Sequence, residues 1–114
     1  MSIDRIEPGE WNCRAVVHDG TAYLSGIVAD DKTLPMKEQT EQVLAKIDAV
    51  LAKAGTGKSK ILSATVYLAD IDQKDEMNEA WMDWVDRRNL PARAAIGVKL
   101  TPGTLVEIMV SAAL

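Results

Sequence analysis

The chain has 114 residues, of which 47% are hydrophobic and 26% are charged, and its formal net charge is −4 at pH 7. This length and composition fit one domain over residues 1–114 with a single hydrophobic core, and they exclude a disordered or fibrous protein. The acidic balance argues against a nucleic-acid partner, because such binding depends on Lys and Arg side chains that neutralise phosphates.

The first half of the chain predicts a β-hairpin followed by a long helix. Residues 14–18 and 21–27 are β-prone and flank Asp19 and Gly20, a pair that favours a tight turn because both central residues need positive φ. Over residues 35–54, apolar side chains recur three and four positions apart. This spacing indicates an amphipathic helix that ends at the glycine that follows it.

The middle of the chain predicts a third strand and a second helix. Residues 61–68 alternate between two faces, as a half-buried strand does. The apolar face consists of Leu62, Ala64, Val66 and Leu68. Asp70 or Asp72 is suited to cap the second helix. This helix should end near Asn89, because Pro91 disfavours helical geometry in the residue before it. Its buried stripe is expected to be Met77, Ala80 or Trp81, Trp84 and Val85.

The last third predicts two more strands, at residues 92–98 and 105–114. Two helices among five strands fit an α+β sandwich in which both helices cover one face of a mixed sheet. Apolar residues occupy both faces of the final strand, and two helices cannot cover both faces. We therefore expect the second face to be buried against another subunit of a closed homo-oligomer.

Two ionisable residues, Arg93 and Glu107, each lie alone in one of these apolar strands. Charged side chains seldom occupy such positions without a partner or a chemical role. The connection between the two strands is short, which favours their being neighbours. One interpretation is then a structural Arg93–Glu107 salt bridge at a subunit contact, and the other is a functional pair.

The segments around this pair resemble a known family. They are Pro91-Ala92-Arg93, Pro102, Val106-Glu107-Ile108, Ser25-Gly26 after the hairpin, and Asn78 one turn before Trp81. From about residue 12 to the last residue, the chain resembles the Rid (YjgF-like) family of imine deaminases, and most of all its shorter, divergent branch. The resemblance implies a chorismate-mutase-like mixed sheet with two helices packed on one face. It also implies a homotrimer with active sites in the clefts between subunits.

The function that the resemblance implies is hydrolytic deamination of reactive 2-imino or enamine acids to 2-oxo acids and ammonia, without a metal or organic cofactor. Arg93 would bind the substrate carboxylate, to which the planar guanidinium is suited. Glu107 would hold and polarise the attacking water as a general base. Ser25, Gly26 and Asn78 would line the pocket.

Two positions in the same cleft depart from the family pattern. Asn12 lies where well-known members carry a tyrosine, and Ala95 replaces a cysteine that follows the arginine. We treat both as substrate-contacting positions, and Trp11 as a residue that borders the cleft. Because these changes leave substrate range and turnover open, the alternative is a non-catalytic small-carboxylate-binding or regulatory module on the same fold. Ribonuclease activity, which is attached to some relatives, is disfavoured by the acidic charge.

The remaining features predict a cytoplasmic protein with neither a membrane partner nor a metal site. Cys13 is the only cysteine, so an intramolecular disulfide is impossible. No stretch reaches the ~18 apolar residues of a membrane span, and the first residues lack the apolar core of an export signal. His18 has no companion histidine. The run Gly55-Thr56-Gly57-Lys58-Ser59 lies after a helix, whereas a phosphate-binding loop precedes one.

Overall fold

The computed structural model describes residues 2–114. In this part of the chain the strands are β1 (Asp4–Pro8), β2 (Cys13–His18), β3 (Thr21–Leu24), β4 (Ile27–Val28), β5 (Ile61–Leu68), β6 (Ala92–Gly97) and β7 (Val106–Ala113). The α-helices are α1 (Met36–Ala54) and α2 (Lys74–Trp84), and single 3₁₀ turns precede β5 and α2. The predicted α+β class, with a mixed sheet and two helices on one face, is confirmed.

The strands form one sheet in the order β1-β2-β3-β7-β5-β6, and β4 pairs with β7. All pairs are antiparallel except β5 with β6, whose connection contains α2. The expectation that β6 and β7 are neighbours is wrong, because β5 lies between them. Ala64 of β5 pairs with Arg93 on one side and with Val110 on the other.

The hairpin of β2 and β3 is confirmed, and both of its turn residues have positive φ, 50° at Asp19 and 80° at Gly20. The strand expected over residues 21–27 is interrupted at Ser25 and Gly26, after which β4 pairs with β7. Strand β1, which the sequence analysis does not predict, adds to the edge of the sheet beside β2. Its residues are mostly exposed, so they show no apolar alternation.

Helix α1 matches its prediction and ends where Gly55 takes a left-handed conformation with φ 90°. Gln39, near the start of α1, is a fully buried polar residue. Its amide group donates to the Gly103 carbonyl at 3.0 Å and accepts from the Leu105 backbone N–H at 3.1 Å. These bonds hold the turn that leads into β7.

Helix α2 ends at Trp84, not near Asn89 as predicted. The following turn is organised by Asp86, whose carboxylate accepts from the Arg88 backbone N–H and from the Asn89 side chain, each at 3.0 Å. This local turn replaces the last predicted helical residues. Asp70 caps the 3₁₀ turn before the helix, and the N-cap of α2 is Gln73. Of the predicted stripe, Trp84 is half-buried and the others are buried: Met77, Ala80, Trp81 and Val85.

The sheet has one face covered by the helices and one face that is open in the single chain. In β7 the covered residues are Val106, Ile108, Val110 and Ala112. The open face carries large side chains such as Tyr23 and Met109, which are 53% and 43% exposed. Leu62 is 52% exposed, not on the apolar face as predicted, because the β5–β7 register shifts between Ile61 and Ser63. No helix within residues 2–114 is long and apolar enough to cross a membrane.

Candidate active site

Glu107 lies near the start of β7 on the open face, where it pairs with Val28 of β4 and with Tyr67 of β5. Its side chain lies against Gly26. A Cβ atom added to Gly26 would be 3.0 Å from Cδ of Glu107 and closer still to Oε2. Glycine is needed here for space, because any side chain would displace the carboxylate. None of the ion pairs within residues 2–114 includes Glu107.

Ser25 is adjacent to this contact and has an unusual hydroxyl. Its Oγ is buried and has no hydrogen-bond partner in the described part of the chain. The backbone N–H of Ser25 donates to the Arg14 carbonyl at 2.9 Å, which fixes the segment beside β2. Buried polar atoms normally find partners, so this hydroxyl is available to a ligand. We call Ser25, Gly26 and Glu107 the carboxylate half-site.

Arg93 lies on β6, an edge strand, and its side chain is on the face that the helices cover. Its Cζ is 5.0 Å from the ring centroid of Trp81, and its Nη1 is 3.8 Å from Sδ of Met77. No carboxylate of residues 2–114 lies within ion-pair distance of the guanidinium. Desolvation by burial lowers the pKa of Arg93 from its ordinary value. Arginine nevertheless remains protonated in proteins, so Arg93 is a positive charge without an internal counter-ion.

Arg93 borders a groove of about 350 Å³. The residues that line this groove, which we call the cation half-site, are Asn78, Trp81, Met82, Leu90, Pro91 and Arg93. Two of the predicted site residues, Asn78 and Arg93, therefore meet in one groove. Ala95 follows two positions later on the same face of β6 and packs against the hydrophobic core.

The two half-sites lie on opposite faces of the sheet. Arg93 pairs with Ala64, which is buried beneath the helices, whereas Glu107 pairs with Tyr67 on the open face. The two charged side chains of one chain therefore cannot reach the same small molecule, and a salt bridge between them within one chain is excluded. A site that uses both residues requires two copies of the chain.

Asn12 lies at the tip of the β1–β2 hairpin, where its carbonyl accepts a hydrogen bond from the Gly9 N–H at 2.6 Å. Its side chain is exposed and makes no hydrogen bond to the carboxylate half-site in the described structure. The neighbouring Trp11 is 85% exposed. A role for the hairpin tip in a cleft thus depends on what a second copy brings to it, and it stays a prediction.

Sequence reasoning treated Trp81 as a packing residue and did not connect it with Arg93. The available signal was the four-residue spacing of Met77 and Trp81 on α2, which places both on one helix face. Within residues 2–114, no group of three or more His, Cys, Asp or Glu side chains is arranged to hold a metal ion.

Comparison with known proteins gives consistent matches over the whole chain. The family model described as Endoribonuclease L-PSP matches residues 3–114. A RutC family protein of Haemophilus ducreyi is 44% identical over 113 residues, which cover 98% of this chain and 97% of the relative. A YjgF family member from Neisseria meningitidis superimposes with a TM-score of 0.96 at 37% identity, covering 99% of this chain and 95% of that one. A Rid family protein from Yersinia pestis gives 0.89 at 32%, covering 99% and 100%. The resemblance found in the sequence is thereby confirmed, and the chain belongs to the RutC/YjgF (Rid) family.

Proposed function

We propose that this protein hydrolyses reactive 2-imino or enamine acids to 2-oxo acids and ammonia, at a site completed between two protomers of a homotrimer. The observation that carries the proposal is the placement of an unpaired guanidinium and an unpaired carboxylate on opposite faces of one sheet. Each half-site lacks the charge that the other has. Contact between two copies can therefore supply both charges to one ligand.

The cation half-site is suited to bind the substrate carboxylate. Arg93 has no internal acid to compete with an incoming anion, and its fork of N–H donors matches a carboxylate in two parallel hydrogen bonds. Asn78 lines the same groove and offers an amide to orient the imine group. Binding therefore fixes the substrate at its charged end and presents its C=N carbon to the opposite wall.

The carboxylate half-site is suited to activate water. Glu107 accepts a proton from a water molecule as the water oxygen bonds to the imine carbon, and the C=N bond becomes a C–N bond. The proton then passes to the nitrogen of this carbinolamine. The C–N bond breaks, ammonia leaves, and the hydroxyl proton is lost as the 2-oxo acid forms. Ser25 Oγ, which lacks a partner, is a hydrogen-bond donor or acceptor for the intermediate.

A closed ring of protomers supports this arrangement. Edge strand β6 carries Arg93 at the margin of the sheet, while the open face that carries Glu107 retains exposed apolar side chains such as Tyr23 and Met109. A heterologous contact that repeats around a ring joins two different surfaces of the same chain. Three such contacts would form three equivalent clefts, each with one Arg93 and one Glu107.

The activity is tested by generating an imino acid in situ with an amino-acid oxidase and following ammonia release. The purified protein should accelerate release, and Arg93→Ala should abolish the acceleration. The matched control is Arg88→Ala, which removes the same charge from an exposed position on the preceding turn. Ammonia release that the wild-type protein does not accelerate would reject the deaminase proposal.

The second candidate is a non-catalytic module that binds small carboxylates. It is favoured by Ala95 and Asn12, since both replace side chains that are typical of the family's pocket. Calorimetric binding of a 2-oxo acid without deamination of any imine would support this module over the enzyme, and saturable turnover would exclude it.

The description of the family model names an endoribonuclease, but the chain offers little for RNA cleavage. Its formal charge is −4, and its only histidine, His18, lies at the hairpin turn, at the end of β2 and β3 away from Ser25. RNA cleavage that survives Glu107→Ala would indicate a contaminating nuclease.

A further inference from the structure

We propose that Trp81 is a positioning residue for Arg93, whose indole ring fixes the direction in which the guanidinium meets the substrate carboxylate. The inference rests on the proposed function, because it assigns Arg93 to carboxylate binding. It adds a role that packing does not require: the ring would act through Arg93 on the affinity for anions.

The first support is the way in which Arg93 is held. Its Cζ lies over the Trp81 ring at 5.0 Å, and its Nη1 lies 3.8 Å from Sδ of fully buried Met77. Both contacts attract or pack against a cation without neutralising it. A carboxylate in the same place would restrain Arg93 but would also compete with the ligand, and the described residues place none there.

The second support is the geometry of stacking. A guanidinium that rests over an aromatic face uses its flat side, while the N–H donors that recognise a carboxylate lie along its edge. The two interactions are therefore compatible. A long arginine side chain loses rotamer freedom on binding a ligand, and prior contact with a rigid ring removes part of that loss.

The third support is that Trp81 is itself fixed. It is only 5% exposed, and the Trp84 ring lies 5.6 Å away at an interplanar angle of 55°. Trp84 Nε1 donates to Oδ2 of Asp48 at 2.9 Å, which connects α2 to α1. Two helices therefore determine where the Trp81 ring lies, and the ring determines where Arg93 lies.

The test compares two substitutions that both shorten the side chain: Trp81→Phe keeps an aromatic ring, and Trp81→Met does not. Affinity for 2-oxobutyrate is measured by titration calorimetry, and KM and kcat are measured with an imino acid. We expect Trp81→Met to weaken binding and to raise KM by about three- to tenfold with little change in kcat, and Trp81→Phe to retain most of the affinity. In an Arg93→Ala background, Trp81→Met should cause no further loss.

Two results would overturn the proposal. One is an equal loss of affinity in the Phe and Met variants of matched thermal stability, and the other is a loss in kcat with KM unchanged. Calorimetry does not depend on turnover, so a wild-type protein that binds 2-oxobutyrate without deaminating imines would reject the proposed function and leave the ring dependence measurable. A wild-type protein that binds no 2-oxo acid would contradict both proposals.

Discussion

The two half-sites hold their charged groups by opposite means. Arg93 is held by bulk, because Trp81 and Met77 lie against its guanidinium. Glu107 is held by the absence of bulk, because its carboxylate occupies the space beside the backbone of Gly26. The comparison teaches that removing side-chain volume should damage the first half-site, whereas adding volume should damage the second.

The largest effect is expected when the carboxylate itself is neutralised. Glu107→Gln keeps the shape of the side chain but removes the base, so kcat should fall about 10²- to 10⁴-fold while KM changes little. Steady-state kinetics of ammonia release measure both constants. Glu76→Gln, an exposed position on α2, is the control for charge. A loss confined to KM would move Glu107 from catalysis to binding and would end the contrast with Arg93.

A smaller effect is expected when volume is added beside that carboxylate. Gly26→Ala places a Cβ where the Glu107 carboxylate lies, so the side chain must move and kcat should fall about tenfold, since misplaced catalytic groups lose efficiency. Gly57→Ala is the matched control, because a Cβ there has no atom within 4 Å. Equal kinetics in the two variants would show that the position of Glu107 against Gly26 has no bearing on the reaction.

The smallest effect concerns the hydroxyl without a partner. Ser25→Ala removes a buried polar atom that forms no hydrogen bond, so the free energy of unfolding should stay constant or rise by about 1 kcal/mol. Activity should nevertheless fall a few-fold. Ser63→Ala is the contrasting variant, because that hydroxyl is 2.7 Å from the Ser111 hydroxyl. Chemical denaturation and kinetics together check this, and a marked loss of stability in Ser25→Ala would assign the hydroxyl a structural role.

Local patterns predicted much of the fold. The Asp19-Gly20 turn and the periodicity of α1 are each visible within a few residues, and both are confirmed. The order of the strands is decided by pairing between distant segments, so a short connection could not reveal that β5 separates β6 from β7. Strand β1 was missed because an exposed edge strand needs no apolar alternation.

The site was predictable in its residues but not in its geometry. Glu107 alternates with buried Val106 and Ile108, which places it on the open face. The residues on both sides of Arg93 are alanines, so β6 has no such alternation and the face of Arg93 is set only by its register with β5. The contact with Trp81 depends on how α2 crosses that edge, which no spacing within β6 encodes.

The central claim is that one reaction uses Arg93 of one protomer and Glu107 of another, and mixed oligomers test it most directly. Arg93→Ala and Glu107→Gln chains, each inactive alone, are mixed in equal amounts and reassembled, with exchange verified by native mass spectrometry. In a ring whose sites each join two neighbouring chains, random mixing should restore about a quarter of the wild-type activity, because one site in four then holds both intact residues. Mixed oligomers that remain as inactive as their parents would contradict the account.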